Sequence, residues 1–208
     1  MKKISLFGFP AAVTALLLLL PGLCLGAKKE KPLSPDELIS KYEKLVISDS
    51  LNARNHFELA NAYYDRDKPG DAEREYRTAI RLDPKLSEAY TNLGALLNEV
   101  GRASDAIEIL QKVLIRNPKD PLARSNLGNT YYSEKRYSLA VSEFMRAIGD
   151  DPKCFQAYYN LGVAFADAGM YREARRMWEK VVLIAPDSPV AVTAKDNVKT
   201  VKELVGER

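Results

Sequence analysis

The tripeptide Asn92-Leu93-Gly94 returns as Asn126-Leu127-Gly128 and again as Asn160-Leu161-Gly162, 34 residues apart both times. Rows of that length, started at Ala53, Ser87, Pro121 and Phe155, bring the surrounding sequence into one register. Position 7 of the four rows is Leu59, Leu93, Leu127 and Leu161, and position 8 is Ala60, Gly94, Gly128 and Gly162. Position 11 is Tyr63, Leu97, Tyr131 and Phe165. Position 20 is always alanine, at Ala72, Ala106, Ala140 and Ala174. Position 24 is large, at Tyr76, Leu110, Phe144 and Trp178, and position 27 small, at Ala79, Val113, Ala147 and Val181. Position 32 is always proline, at Pro84, Pro118, Pro152 and Pro186.

Positions 4, 7, 8 and 11 fall on one face of a helix with about 3.6 residues per turn, and positions 20, 24 and 27 fall on one face of a second. Small residues at positions 8 and 20 let the two backbones approach, and the large residue at position 24 fills the space beside them. Proline at position 32 cannot continue the second helix and opens the turn into the next row. Helices this short do not stand alone in water, so neighbouring pairs must bury one another's faces. In these residues the chain resembles the tetratricopeptide repeat (TPR) family, whose unit of the same length is an antiparallel helix pair. The resemblance implies an all-α fold, a right-handed α-solenoid of helix-turn-helix repeats at 53–86, 87–120, 121–154 and 155–188. It also implies a concave groove, lined by the first helix of each repeat, that holds a protein or peptide partner.

The flanks fit terminal caps. Ser34 can cap a helix that has Pro35 at its first position and Glu37 at its third. One row upstream of Ala53, Leu38, Tyr42 and Leu45 take positions 20, 24 and 27, so residues 35–48 read as the second helix of an incomplete repeat. Residues 189–206 read as a C-terminal capping helix. Ala191, Ala194, Val198, Val201 and Val205 mark its apolar face, and Lys195, Lys199 and Lys202 its wet one.

Residues 1–27 have a different character. Lys2 and Lys3 precede an uncharged run from Ile4 to Ala27, densest at Ala15–Leu20 and broken by Pro21-Gly22. That order describes an export signal, with cleavage after Gly26 or Ala27, and leads to an expected periplasmic location. Two other fates are open: retention as an inner-membrane anchor, since the run is long enough to span a bilayer, or lipid attachment at Cys24 and an outer-membrane lipoprotein. Residues 28–34 form a charged, proline-bearing linker expected to be flexible. Membrane association is expected only through this N-terminal segment. Removing the signal leaves Cys154 as the lone cysteine, so no intramolecular disulfide is expected.

The chain of 208 residues is 46% hydrophobic and 28% charged, the composition of a globular protein. Its net charge of +3 includes Lys2 and Lys3. No basic stripe marks it as a nucleic-acid binder. Nothing in the pattern points to an enzyme. The single histidine, His56, occupies position 4, a core site, and with one mature cysteine no zinc set can be assembled. No nucleophile elbow or glycine-rich phosphate loop occurs. The stretch from Asp65 to Gly70 begins like a calcium loop, but Pro69 stands at a ligand position and Tyr76 replaces the closing glutamate. Catalytic, cofactor-binding and metal residues are therefore expected to be none, and no cofactor is expected.

Positions 2, 5, 6, 9, 12 and 13 lie opposite the core face on the helical wheel. They supply the candidate groove residues Phe57, Asn61, Tyr64, Asn92, Asn126, Asn129, Tyr132, Tyr159 and Asn160. Asparagine amides donate and accept, which suits the backbone of an extended peptide. Tyrosine adds contact area at small entropic cost. A second role for these amides, bridging neighbouring helices, is equally open. Arg54 is the lone basic groove residue, which departs from family members that clamp C-terminal carboxylates with several Lys or Arg. The expected function is an exported protein–protein interaction module, a scaffold or assembly factor. The alternative is a membrane-tethered, lipoprotein-like assembly factor of a pilus or secretion system. Neither the partner nor the oligomeric state can be read from the sequence.

Overall fold

A computed structural model describes residues 33–206 of the chain. Residues 1–32, which hold the expected export signal and most of the expected linker, lie outside the described residues. Ten helices occur among the described residues: α1 (Pro35–Ser48), α2 (Ala53–Asp65), α3 (Pro69–Leu82), α4 (Ser87–Glu99), α5 (Ala103–Arg116), α6 (Pro121–Ser133), α7 (Tyr137–Asp150), α8 (Phe155–Asp167), α9 (Tyr171–Ile184) and α10 (Pro189–Leu204). No strand occurs among the described residues. The chain divides after Asp83 into two compact units, α1–α3 and α4–α10. In the first unit α2 packs on both α1 and α3. In the second, each helix packs on the next, and α4, α6 and α8 also pack side by side.

Local chemistry sets the helix ends. Ser34 and Glu37 form a reciprocal capping box at α1. Asn52, Asp120 and Ser188 accept backbone N–H groups at the starts of α2, α6 and α10. The turn inside each pair is identical in all four rows. Position 15 is left-handed at Asp67 (φ 58°), Gly101 (φ 78°), Lys135 (φ 60°) and Gly169 (φ 76°). The N–H of position 16 then reaches back to the carbonyl of position 11, as in Lys68→Tyr63 (2.9 Å) and Arg136→Tyr131 (2.8 Å). This is a Schellman closure, for which glycine is the usual residue. Rows one and three build it from aspartate and lysine.

The core of each pair is a seat and its occupant. A Cβ placed on Gly94 would lie 2.6 Å from Leu110 Cγ, one on Gly128 2.6 Å from Phe144 Cε1, and one on Gly162 2.6 Å from Trp178 Nε1. The space at position 8 is thus filled by the position-24 side chain itself rather than by the opposing backbone. Tyr76, Leu110, Phe144 and Trp178 are all fully buried, as are the four alanines at position 20. The buried Trp178 indole donates to the carbonyl of Tyr159 at 3.2 Å, and the Tyr76 hydroxyl donates to Asn61 Oδ1 at 2.7 Å. Among the α1 residues that take positions 20, 24 and 27, Leu38 and Tyr42 are half-buried and Leu45 is exposed; Ile39 is the buried one.

A second contact joins position 4 of the first helix to position 23 of the second. In row one His56 Nδ1 meets Glu75 Oε2 at 2.7 Å, while its Nε2 meets the Ser50 carbonyl at 3.1 Å. In row three Arg124 donates to Glu143 at 3.1 Å and to Asp150 at 2.5 Å. Rows two and four carry Tyr90 and Ile109, and Tyr158 and Met177, at these two positions. The Arg116 guanidinium covers the Tyr90 ring at 5.0 Å.

The seat makes a sharp prediction. Gly128→Leu should destabilise the chain by roughly 2–3 kcal/mol through overpacking against Phe144. In a double-mutant cycle with Phe144→Ala, part of that loss should vanish because the ring is no longer there to be displaced. Denaturant melts of the four chains measure both quantities, and strictly additive losses would place the clash elsewhere.

Candidate functional site

In the second unit the outward faces of α4, α6 and α8 form one surface, held by hydrogen bonds between residues 35 apart. Asn126 Nδ2 donates to the Thr91 carbonyl at 3.3 Å, and Asn160 Nδ2 donates to Ser125 Oγ at 3.3 Å. Ser133 Oγ donates to Asn98 Oδ1 at 2.7 Å, and the Tyr132 hydroxyl donates to Asp167. Each bond joins a first helix to its neighbour in the next row, so the surface is stitched across its width.

The candidate residues divide by what already holds them. Phe57 is a correction: it is 4% exposed and does not line an open face. Its ring lies 6.0 Å from that of Tyr76, with the Arg54 guanidinium 4.8 Å from its centre. Position 5 is an interior place elsewhere too, since Thr91 and Ser125 are buried. Tyr159, also at position 5, is half-buried against the cluster of Trp178, Val181, Ala194 and Val201. Asn61 is held within its own row, accepting from Tyr76 and donating to Glu58 at 3.4 Å. Asn126 and Asn160 bridge helices, the second of the two roles open from sequence. Tyr64 and Asn92 are half-buried. Asn129 is half-buried, and its side chain makes no hydrogen bond among the described residues. Tyr132 sets its ring edge-on to Tyr137 at 5.1 Å.

Around Asn129 and Tyr132, the half-buried Ala95, Asn98 and Val163 and the exposed Ser133 complete the open part of this face. Those four stand at positions 9, 12 and 13, among the outward positions of the helical wheel. At the outward positions of α4, α6 and α8 the charged residues are Glu88, Glu99 and Asp167, with no lysine or arginine. Burial and the bond to Asp167 hold the Tyr132 hydroxyl above the usual tyrosine range, so it is a neutral donor at physiological pH. Tyr159 is likewise raised by burial, opposed by its bond to Asn197.

No group of three His, Cys, Asp or Glu among the described residues is placed to hold a metal. His56 is buried with both ring nitrogens bonded, a structural role. Cys154 is buried with Sγ 3.8 Å from the Pro121 carbonyl, and burial pushes its thiol above the ordinary range, away from the reactive thiolate. No described helix is long and apolar enough to cross a membrane. The surface has the means to bind a polypeptide by amide hydrogen bonds and aromatic contact.

Family models described as tetratricopeptide repeat match residues 57–121, 99–148 and 155–188, and one described as TPR repeat matches 128–169. The chain is 30% identical over 122 residues to Protein O-mannosyl-transferase TMTC1 of Mus musculus, covering 57% of this chain and 13% of that protein. It is 27% identical over 190 residues to Intraflagellar transport protein 88 homolog of Homo sapiens, covering 80% of this chain and 22% of that one. The match therefore spans under a quarter of either relative's length. Among solved structures, MamA is similar with TM-score 0.59 and 27% identity, over 72% of this chain and 88% of that one. YrrB, described as a TPR protein with an unusual peptide-binding site, has TM-score 0.53 and 26% identity, over 78% and 84%. PilW, described as a type IV pilus biogenesis factor, shares the fold with TM-score 0.64 at 18% identity, over 80% and 82%.

The bridging amides belong to stability. Asn126→Ala with Asn160→Ala should cost about 1 kcal/mol for each lost hydrogen bond. Thermal melting followed by circular dichroism reads this directly, and an unchanged melting temperature would mean the stitches carry no energy.

Proposed function

This chain belongs to the tetratricopeptide repeat family, and we propose that it is an exported scaffold or assembly factor that holds an extended segment of a partner protein across the outward face of α4, α6 and α8. The observation that carries this reading is the division of labour on that face. Asn126 and Asn160 fix the three helices to one another. Asn129, Ala95 and Val163 at position 9 then lie in a line between them, half-buried and open to a ligand. A backbone amide of a bound segment finds a donor and an acceptor in Asn129, and its side chains find Tyr132, Ala95 and Val163. The likeness to a repeat protein with a peptide-binding site supports the same reading. No catalytic role is proposed. The export reading rests on Lys2 and Lys3, the uncharged run that follows them, and the break at Pro21-Gly22.

Affinity capture from bacterial envelope extracts tests the binding face. Asn129→Ala combined with Val163→Asp should weaken retention of the captured partner by about tenfold or more, the size of a moderate interface hot spot. Val163 also packs against the Trp178 cluster, so retention is compared at a temperature where circular dichroism shows the variant fully helical. Equal retention would send the partner to another surface. Export is tested on its own by intact mass of the secreted chain, which should begin at Ala27 or Lys28. A full-length chain in the membrane fraction would favour the anchor. Palmitate labelling lost in Cys24→Ser would favour the lipoprotein.

A further inference from the structure

Positions 4 and 23 meet on the side of each helix pair opposite the proposed partner face, by the helical wheel. In row one this place is closed by His56 and Glu75, in row three by Arg124 with Glu143 and Asp150, and in row two Arg116 covers Tyr90. Row four differs. Tyr158 and Met177 are both half-buried, and between them and the 73% exposed Leu183 lies a groove of about 360 Å3. Its remaining walls are Arg176, Glu179 and Lys180 of α9.

The charges beside it form a line. Arg172, Arg176 and Lys180 are exposed and four residues apart, which stacks them along one face of α9. None of the three side chains makes an ion pair or hydrogen bond among the described residues, and Glu179 is already paired with Arg175 at 3.6 Å. Elsewhere on the second helices, Arg74 pairs with Asp71, Arg77 with Glu73, Lys112 with Glu108 and Arg146 with Glu143. Like charges one turn apart destabilise a helix. An anionic occupant would reverse the sign of that effect.

We infer that the cationic line of Arg172, Arg176 and Lys180 and the apolar groove of Tyr158, Met177 and Leu183 form a second docking site, which takes an acidic segment of a protein partner with a large apolar side chain beside its carboxylates. The carboxylates pair with the three cations, and the apolar side chain enters the groove between Tyr158 and Met177. The recess favours an inserted side chain over a flat lipid surface. The site does not depend on the first-helix face.

The test is selection from a phage-displayed library of short random peptides on the full chain, with affinities of the winners measured by fluorescence anisotropy. Peptides rich in Asp or Glu and bearing Phe, Leu or Trp should be enriched. Their affinity should fall at least about tenfold in R172E/R176E/K180E, a loss of about 1.4 kcal/mol, and also in Leu183→Asn, which leaves the charges intact. These substitutions are at exposed positions, and an unchanged circular dichroism melt verifies the fold. Binding should persist in the Asn129→Ala, Val163→Asp variant, so failure of the first-helix reading leaves this result standing. Enrichment without acidic residues, no enrichment, or winners insensitive to Leu183→Asn would overturn the proposal. So would winners lost in the Asn129 and Val163 variant. Sedimentation with phosphatidylglycerol vesicles that depends on the three cations would assign them to a lipid surface instead.

Discussion

A missing side chain organises this protein. Where position 8 is glycine, the first helix presents a bare strip of backbone, and the position-24 side chain of its partner lies directly on it. The fit fixes how close the two helices come and how each is rotated about its axis. Once the rotation is set, positions 7 and 11 must face inward and positions 9, 12 and 13 outward. The occupant varies from Leu110 to Phe144 to Trp178 while the strip does not. The indole of Trp178, and in row one the phenol of Tyr76, also find partners, at the Tyr159 carbonyl and at Asn61. A buried donor without such a partner would cost about 1–3 kcal/mol, so the larger occupants are held by polarity as well as volume.

Much of this architecture is legible in the residues because a period and two helical faces are enough to reconstruct it. Leu93, Gly94, Leu110 and Val113 declare their places by recurrence alone. What recurrence does not declare is the neighbour. A helical wheel drawn for one pair assigns position 5 to solvent, and so Phe57 looked like a ligand contact. In the second unit, Thr91 and Ser125 at that position lie under the next first helix and serve as acceptors for it. The asparagines show the same limit from the other side. An amide one residue before Leu-Gly is equally suited to a peptide and to the helix alongside, and only the separation of the helices decides between them. Asn129 stays open in row three, where the position-24 residue is Phe144, whereas Asn61 at the same position of row one accepts from the Tyr76 hydroxyl.

The contacts between positions 4 and 23 are a different kind of information, present in the sequence but unread until the geometry joined them. A cationic or protonatable residue at position 4 occurs with glutamate at position 23, and tyrosine occurs with isoleucine or methionine. Each row is internally consistent, as physical chemistry demands. Arg124 is only partly exposed, and removing Glu143 and Asp150 would leave its guanidinium with the Pro118 carbonyl as its partner. Rows one, two and three each close this place with a contact of their own, and row four leaves it open.

The closure between the two helices of a pair has a consequence for how such chains diversify. All four bends share one backbone shape, yet Asp67 and Lys135 occupy a left-handed site where Gly101 and Gly169 stand in the other rows. A lysine there gives up roughly 1 kcal/mol relative to glycine, a tolerable loss in a cooperative stack. The glycine beneath Phe144 has no comparable latitude, because any added carbon collides with an aromatic ring. The bends are thus the places where such a chain can take up new charge or polarity without disturbing its interior.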